Sequence, residues 1–350
     1  MPVHPDGLPE WAWALGRPSA DGVIRSEPED FQVEELPLIE PAGEGNHLWL
    51  EVRKRGANTN WVAGQLARAA GVKPREVGFA GMKDRHGVTS QWFSIGMQEA
   101  ADDDWNSWTI EGVEFLQAQR HGRKLRRGTL AGNRFRIVVR QFEGDTDKLL
   151  ERIEQVNLAG IPNYFGPQRF GHGGRNVQRA RDWLSGGARI PRNKRSIYLS
   201  AARSYLFNQL LSARVERGDW DRLLDGDVAA LDGSRSTFPC TLPDETLDRR
   251  CAEFDIHPTG PLPGRGDSGV AREAATLEQA VLENEMQLVE SLARAGLDAD
   301  RRSLRLKPGR LECELDDDSL LLAFDLPPGA YATSLLRELV NVRDATISAA

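Results

Sequence analysis

The segment "HLWLEVRK" alternates, with Leu48, Leu50 and Val52 on one side and Trp49, Glu51 and Arg53 on the other, which predicts a strand. After the cap-rich turn "GANTN", Trp61, Leu66, Ala69 and Ala70 follow a helical spacing that stops at Gly71. "EVGFAG" and "QWFSI" predict strands on either side of the loop "MKDRHGVTS", and "NRFRIVVR" predicts another with Phe135, Ile137 and Val139 on one face. From about Asp145 the period becomes helical. "DTDKLLERIEQV" groups Leu149, Leu150 and Ile153, and "SAARSYLFNQLLSARVERG" and "LEQAVLENEMQLVESLARAG" predict helices ending at Gly218 and Gly296. Between them, "LPDETLDRRCAEFDIHPTGPLPGRGDSG" is rich in Pro, Gly and charge and reads as loop. Strands return in "SLRLK", "LECEL" and "LLLAFDL", before a closing helix "ATSLLRELVNV". The pattern is that of a mixed α/β (α+β) chain with a helical middle inserted between strand-rich ends. Periodicity alone leaves open whether those ends pair.

Composition narrows the classes. At 350 residues the chain exceeds one core, so two domains are expected. Hydrophobic residues at 40% and 9 Trp suffice for folded cores. No apolar run approaches the roughly 20 residues that span a bilayer, and "MPVHPDGLPEWAWALGRP" lacks the features of a signal peptide. The expectation is a cytoplasmic protein with no membrane partner. Cys240, Cys251 and Cys313 are odd in number and fit no zinc spacing, and the six His form no helical ligand pair, so no metal is expected.

Net charge is −7, which excludes a simple polycationic nucleic-acid binder, yet Arg120 to Arg140 carries eight Lys or Arg and no acid. Acids gather in "EPEDF", "ADDDW" and "ELDDDS", a polarity that suits one basic face. Several motifs fail on inspection. "GEGNHL" has Leu48 in place of the third glycine of a dinucleotide fingerprint, and no phosphate loop ends in Gly-Lys-Ser/Thr. "DGDVAALDG" has Ala230 where a calcium loop needs glycine. The runs Asp102–Asp104 and Asp316–Asp318 read as solvated turns rather than a glycosidase pair.

The loop in "VGFAGMKDRHGVTSQWFSI" sets one carboxylate, Asp84, among Lys83, Arg85 and His86. "FAGMKDRHGVTSQWF" resembles the signature of the TruD family of pseudouridine synthases. "RSEPEDFQVEE", "GEGNHLWLEVRKRGANTNWVAGQLA", "RHGRKLRRGTLAGNRFRI", "PNYFGPQRFGHGGRN", "LSAARSYLFNQLL", "LDGDVAALDGS" and "LPPGAYATSLLREL" resemble further family segments in the same order, across almost the whole chain. The resemblance implies a pseudouridine-synthase catalytic core of antiparallel and mixed sheet with helices, built from 1–158 plus 306–350. It implies an inserted α/β TRUD domain over 159–305, and a basic cleft that takes tRNA. The family isomerises uridine 13 in the D arm without cofactor or metal, and a monomer is expected.

Carried over residue by residue, the resemblance implies Asp84 as nucleophile and Phe31, Asn133, Phe135 and Tyr331 as substrate contacts. Tyr331 departs from the phenylalanine frequent in the family, so its hydroxyl needs a partner or water. Neighbouring cations favour a carboxylate anion, which attack at C1′ or at C6 of the base requires. Extruding a stacked uridine calls for aromatic replacements of its stacking. Lys83, Arg85, Arg120, Arg123, Lys124, Arg126 and Arg127 are expected at RNA phosphates, with Arg169 and Arg175 contributing from the insertion. The rival reading is a non-catalytic RNA-binding protein or chaperone with the same cleft, which would not need the Asp84 carboxylate. A nucleoside or glycoside hydrolase would need a second catalytic carboxylate, for which the chain shows no persuasive candidate.

Overall fold

The computed structural model describes residues 8–97, 105–187 and 189–348; the acidic run Asp102–Asp104 lies outside them. The chain forms two compact units, one from Ser19–Thr146, Pro308–Gly329 and Val340–Ala350, the other from Met1–Pro18, Asp147–Lys307 and Ala330–Leu339.

The first unit is built on a sheet of ten strands, counted among the described residues. Seven of them are β1 (Asp21–Ile24), β2 (Phe31–Pro37), β3 (His47–Arg55), β4 (Val77–Phe79), β5 (Val88–Gly96), β6 (Val113–His121) and β7 (Leu130–Glu143). The main path runs Gly309–Asp316, Ser319–Leu326, β7, β2, β5, β3, β6, with β2 and β5 parallel and the other neighbours antiparallel. The ends do pair. β1 lies parallel to Asn341–Asp344, the strand into which the predicted closing helix gives way after Leu339.

Register explains which side chains meet, because residues paired across strands share a face. Leu48, Leu50 and Val52 oppose Ile95, Phe93 and Gln91, and all are buried. Helix α1 (Thr59–Ala69) covers this face with Val62, Ala63, Leu66 and Ala67. Farther across the sheet, Phe31, Val33 and Glu35 oppose Ile137, Phe135 and Asn133, which oppose Leu322, Phe324 and Leu326 in turn. Between the two apolar zones the same face turns polar: Lys54, Thr89, Gln91 and Glu35 are all buried.

The second unit holds a four-stranded sheet, the pair Ile161–Pro162 with Arg305–Leu306, and the long helix Arg192–Arg217, which buries Ala201, Leu206, Phe207 and Leu211. Two expectations fail here. The stretch read as loop contains a helix, Glu245–Ala252, capped by the Asp244 carboxylate accepting from Leu247 N at 2.8 Å, and a buried strand, Ile256–Leu262. That strand tolerates its prolines because it changes partner. Ile256–Pro258 pair with residues 229–231, and Thr259–Leu262 pair with 300–303, so neither ladder is long. The helix expected to run to Gly296 breaks into Arg272–Leu282 and Met286–Arg294 around a 3-10 turn.

Candidate active site

The Asp84 loop joins β4 to β5 and rests on the polar strip of the sheet face. Its approach is fixed by main-chain bonds: Lys83 N donates to Thr59 Oγ1 at 3.0 Å, and Gln91 Nε2 donates to the Gly81 carbonyl at 3.1 Å. The Thr59 hydroxyl donates in turn to Gln91 Oε1 at 3.0 Å, which ties helix and strand to the loop. Gly87 closes the loop where only glycine fits, since a Cβ there would land on the Phe31 carbonyl oxygen.

Asp84 is the open member of the site, with its side chain 36% exposed. Its Oδ2 accepts from Arg25 Nη2 at 2.7 Å and its Oδ1 from the His86 amide at 3.0 Å. The Arg25 guanidinium also donates to Asp344 Oδ2 at 2.5 Å and lies 3.9 Å over the Phe31 ring. Arg25 itself sits at a φ of 58°, left-handed backbone that non-glycine residues rarely adopt. Phe31 meets Phe135 edge-on at 6.3 Å, and Phe135 stacks on Phe324 at 5.3 Å. Both Phe31 and Phe135 are buried in this packing.

Beneath the loop, Lys54 is fully buried and donates to the carbonyls of Asp84 and Ala57 at 2.7 and 2.8 Å. Burial pulls its ammonium down to about 8, against the opposing pull of Asp84. Lys83, expected among the RNA-contacting cations, points inward: Nζ lies 2.8 Å from Glu35 Oε2 and 2.5 Å from Asn133 Oδ1. Burial lowers its pKa too, and Glu35 works against that shift. Arg85 and His86 are exposed.

Asp84, Phe31, Asn133 and Phe135 therefore share one connected cluster. The remaining expected contact, Tyr331, belongs to the other unit, where its Oη accepts from Arg169 Nε at 2.8 Å, and this is the hydroxyl's partner. Arg169 donates also to Ser200 Oγ at 2.9 Å, beside a cleft of about 530 Å³ lined by both residues, Tyr331 and Asn176. In the basic run Arg123, Arg126 and Arg127 are exposed, Arg127 lying 3.9 Å over the Phe79 ring, whereas Arg120 donates to the Met97 carbonyl and Lys124 to the Arg75 carbonyl. Arg175 donates to the His172 carbonyl at 3.2 Å.

The family model described as TruD, tRNA pseudouridine synthase D, matches residues 12–179 and 174–339. The chain belongs to the TruD family. A tRNA pseudouridine synthase D of Methylococcus capsulatus is 49% identical over 345 residues, covering 97% of this chain and 98% of its own length. Another, from Nitrosococcus oceani, is 48% identical and covers 94% and 93%. The crystal structure of a TruD protein from Methanosarcina mazei, 22% identical, superposes with a TM-score of 0.74 over 97% of this chain and 98% of its own, which establishes the shared fold. TruD proteins are pseudouridine synthases, so the activity of the family is an isomerisation.

Sequence reasoning missed Arg25, Lys54 and Glu35. Arg25 and Glu35 open and close the family segment "RSEPEDFQVEE", although neither carries an expected role. Lys54 continues the phase of Leu48, Leu50 and Val52, so a cation at the next inward position was a visible signal.

Proposed function

We propose that this chain converts uridine 13 in the D arm of tRNA to pseudouridine, with Asp84 as the nucleophile. Its catalytic domain is read as the discontinuous 1–158 plus 306–350, interrupted by an RNA-holding insertion at 159–305, although the compact units divide differently and group 1–18, 147–158 and 330–339 with the insertion. The observation that carries the reading is the Asp84 carboxylate, open to solvent on one side and held by Arg25 at 2.7 Å on the other. In the reaction the C1′–N1 bond breaks and a C1′–C5 bond forms, C5 gives up a proton and N1 gains one, so atoms and electrons balance without a cofactor. An anionic carboxylate can drive this by attack at C1′ or at C6. Phe31 and Phe135 supply aromatic surface for an extruded base, and Asn133 supplies hydrogen bonding. The exposed Arg123, Arg126 and Arg127, with Arg85, serve phosphates.

An RNA chaperone would not need a carboxylate held by an arginine. The test is incubation with unmodified tRNA transcripts carrying U13, followed by mapping of pseudouridine. Product is expected at position 13, and its absence sinks the assignment. Asp84→Asn should abolish turnover and still bind tRNA; normal turnover by that variant would remove Asp84 from the role.

A further inference from the structure

The Asn133 amide has two unlike ends: its oxygen accepts and its nitrogen donates. Which end meets a ligand depends on what holds the other. Lys83 Nζ lies 2.5 Å from Asn133 Oδ1, and an ammonium has donors but no acceptor. Turning the amide round would set donor against donor. The ammonium is also 2.8 Å from Glu35 Oε2, and both side chains are almost wholly buried. Glu35 and Asn133 stand directly opposite each other on β2 and β7, so the three groups share one fixed geometry. Gly81 leaves room for it: a Cβ there would come within 2.8 Å of Glu35 Oε2 and 2.9 Å of Lys83 Nζ. A buried ion pair adds little stability over apolar side chains of the same shape. Its consequence here is orientation.

We propose that Lys83 and Glu35 are positioning residues that lock the Asn133 amide oxygen inward, so that Asn133 meets the target base as a hydrogen-bond donor to its C4 carbonyl and thereby selects uracil over cytosine. The inference rests on the uridine-isomerase reading above. Uracil carries an oxygen at C4 and accepts. Cytosine carries an amino group there, which places donor against donor and leaves a desolvated N–H unpaired. Sites that hydrogen-bond a polar group reject analogues lacking it far more strongly than apolar pockets reject a change of size.

The test compares tRNA transcripts with U or C at position 13 by equilibrium binding to the full chain. An Asp84→Asn background stops turnover during the measurement. With the pair intact, the U transcript is expected to bind roughly tenfold more tightly, the size of one mismatched donor. In the Glu35→Gln/Lys83→Met variant the side chains fill similar space without charge, the amide is free to rotate, and the ratio should fall towards one. Lys83→Arg keeps a donor at the amide oxygen and should keep the preference. Should the double variant fail to fold, Asn133→Ala carries the test: it must lose the same preference, and an unchanged ratio overturns the inference. A folded double variant with the unmodified ratio also overturns it. Isomerisation of the U transcript by the unmodified chain, measured alongside, separates that outcome from failure of the functional assignment.

Discussion

Lys54 offers a test whose size follows from its surroundings. The side chain is wholly buried, and that burial pulls its pKa from 10.5 down to about 8. Because the folded value lies below the unfolded one, the unfolded chain binds the proton more tightly between them. The contribution of Lys54 to stability is thus fully present above pH 10.5 and is lost as pH falls through about 8. At about 1.36 kcal/mol per pH unit, that gap is worth ~3 kcal/mol. Lys54→Met has nothing to titrate there. Its stability relative to the unmodified chain should therefore decline by ~3 kcal/mol as pH rises from about 6 to above 10.5. Urea unfolding of both proteins across that range measures the difference, in which the titrating groups not coupled to Lys54 cancel. Parallel stability curves would refute a buried, charged Lys54. Near pH 7 the variant leaves the carbonyls of Asp84 and Ala57 without their donor, at roughly 1–3 kcal/mol each, against the relief of the buried charge. The net change in stability is small, whereas the Asp84 loop loses an anchor, and activity should fall about tenfold, the factor for ~1.4 kcal/mol of lost positioning.

Arg25→Gln removes the ion pairs to Asp84 and Asp344 and the cation over Phe31, and kcat should drop on the order of 100-fold; steady-state kinetics showing an unchanged kcat would deny Arg25 any role in holding the carboxylate. Gly87→Ala sets a methyl against the Phe31 carbonyl and should cost about 1–3 kcal/mol, read as a lower urea midpoint, with an unaltered midpoint disproving the close approach. The double variant Arg123→Ala/Arg126→Ala should reduce the slope of log affinity for tRNA against log salt by about two, and an unchanged slope would move the docking face elsewhere.

The sequence carried the strands of the first unit because they alternate cleanly. It carried the Asp84 loop because a charged loop between apolar strands stands out. It did not carry the cation that partners Asp84. Chain neighbours suggested Lys83, Arg85 and His86, but a strand-flanked loop presents successive side chains in different directions, and Lys83 turns inward to Glu35. The cation that reaches the carboxylate, Arg25, is distant in sequence and arrives through the pairing of β1 with Asn341–Asp344, which also delivers Asp344. Periodicity does not report which strands pair. The strand Ile256–Leu262 was hidden for another reason: proline content reports local preference, and tertiary pairing overrode it.

The charges around the Asp84 loop balance within one connected group. Arg25, Lys54 and Lys83 face Asp84, Glu35 and Asp344, through the contacts Arg25–Asp84, Arg25–Asp344 and Lys83–Glu35 and through Lys54 at the Asp84 carbonyl. Such a group can be closed off from water without stranding a net charge, but removing one member of the buried Lys83–Glu35 ion pair leaves its partner uncompensated, at about 3–5 kcal/mol. Asp84 is the exception, because water reaches it. Asp84→Asn should therefore fold with nearly normal stability while Glu35→Gln and Lys83→Met, taken singly, should be markedly destabilised and regain stability when combined. Urea unfolding of the unmodified chain, the two single variants and the double variant closes this cycle, with Asp84→Asn measured beside them. Equal losses at Asp84 and Lys83 would mean that the nucleophile is as enclosed as the pair beneath it, and a double variant no better than its parents would mean that Lys83 and Glu35 do not neutralise each other.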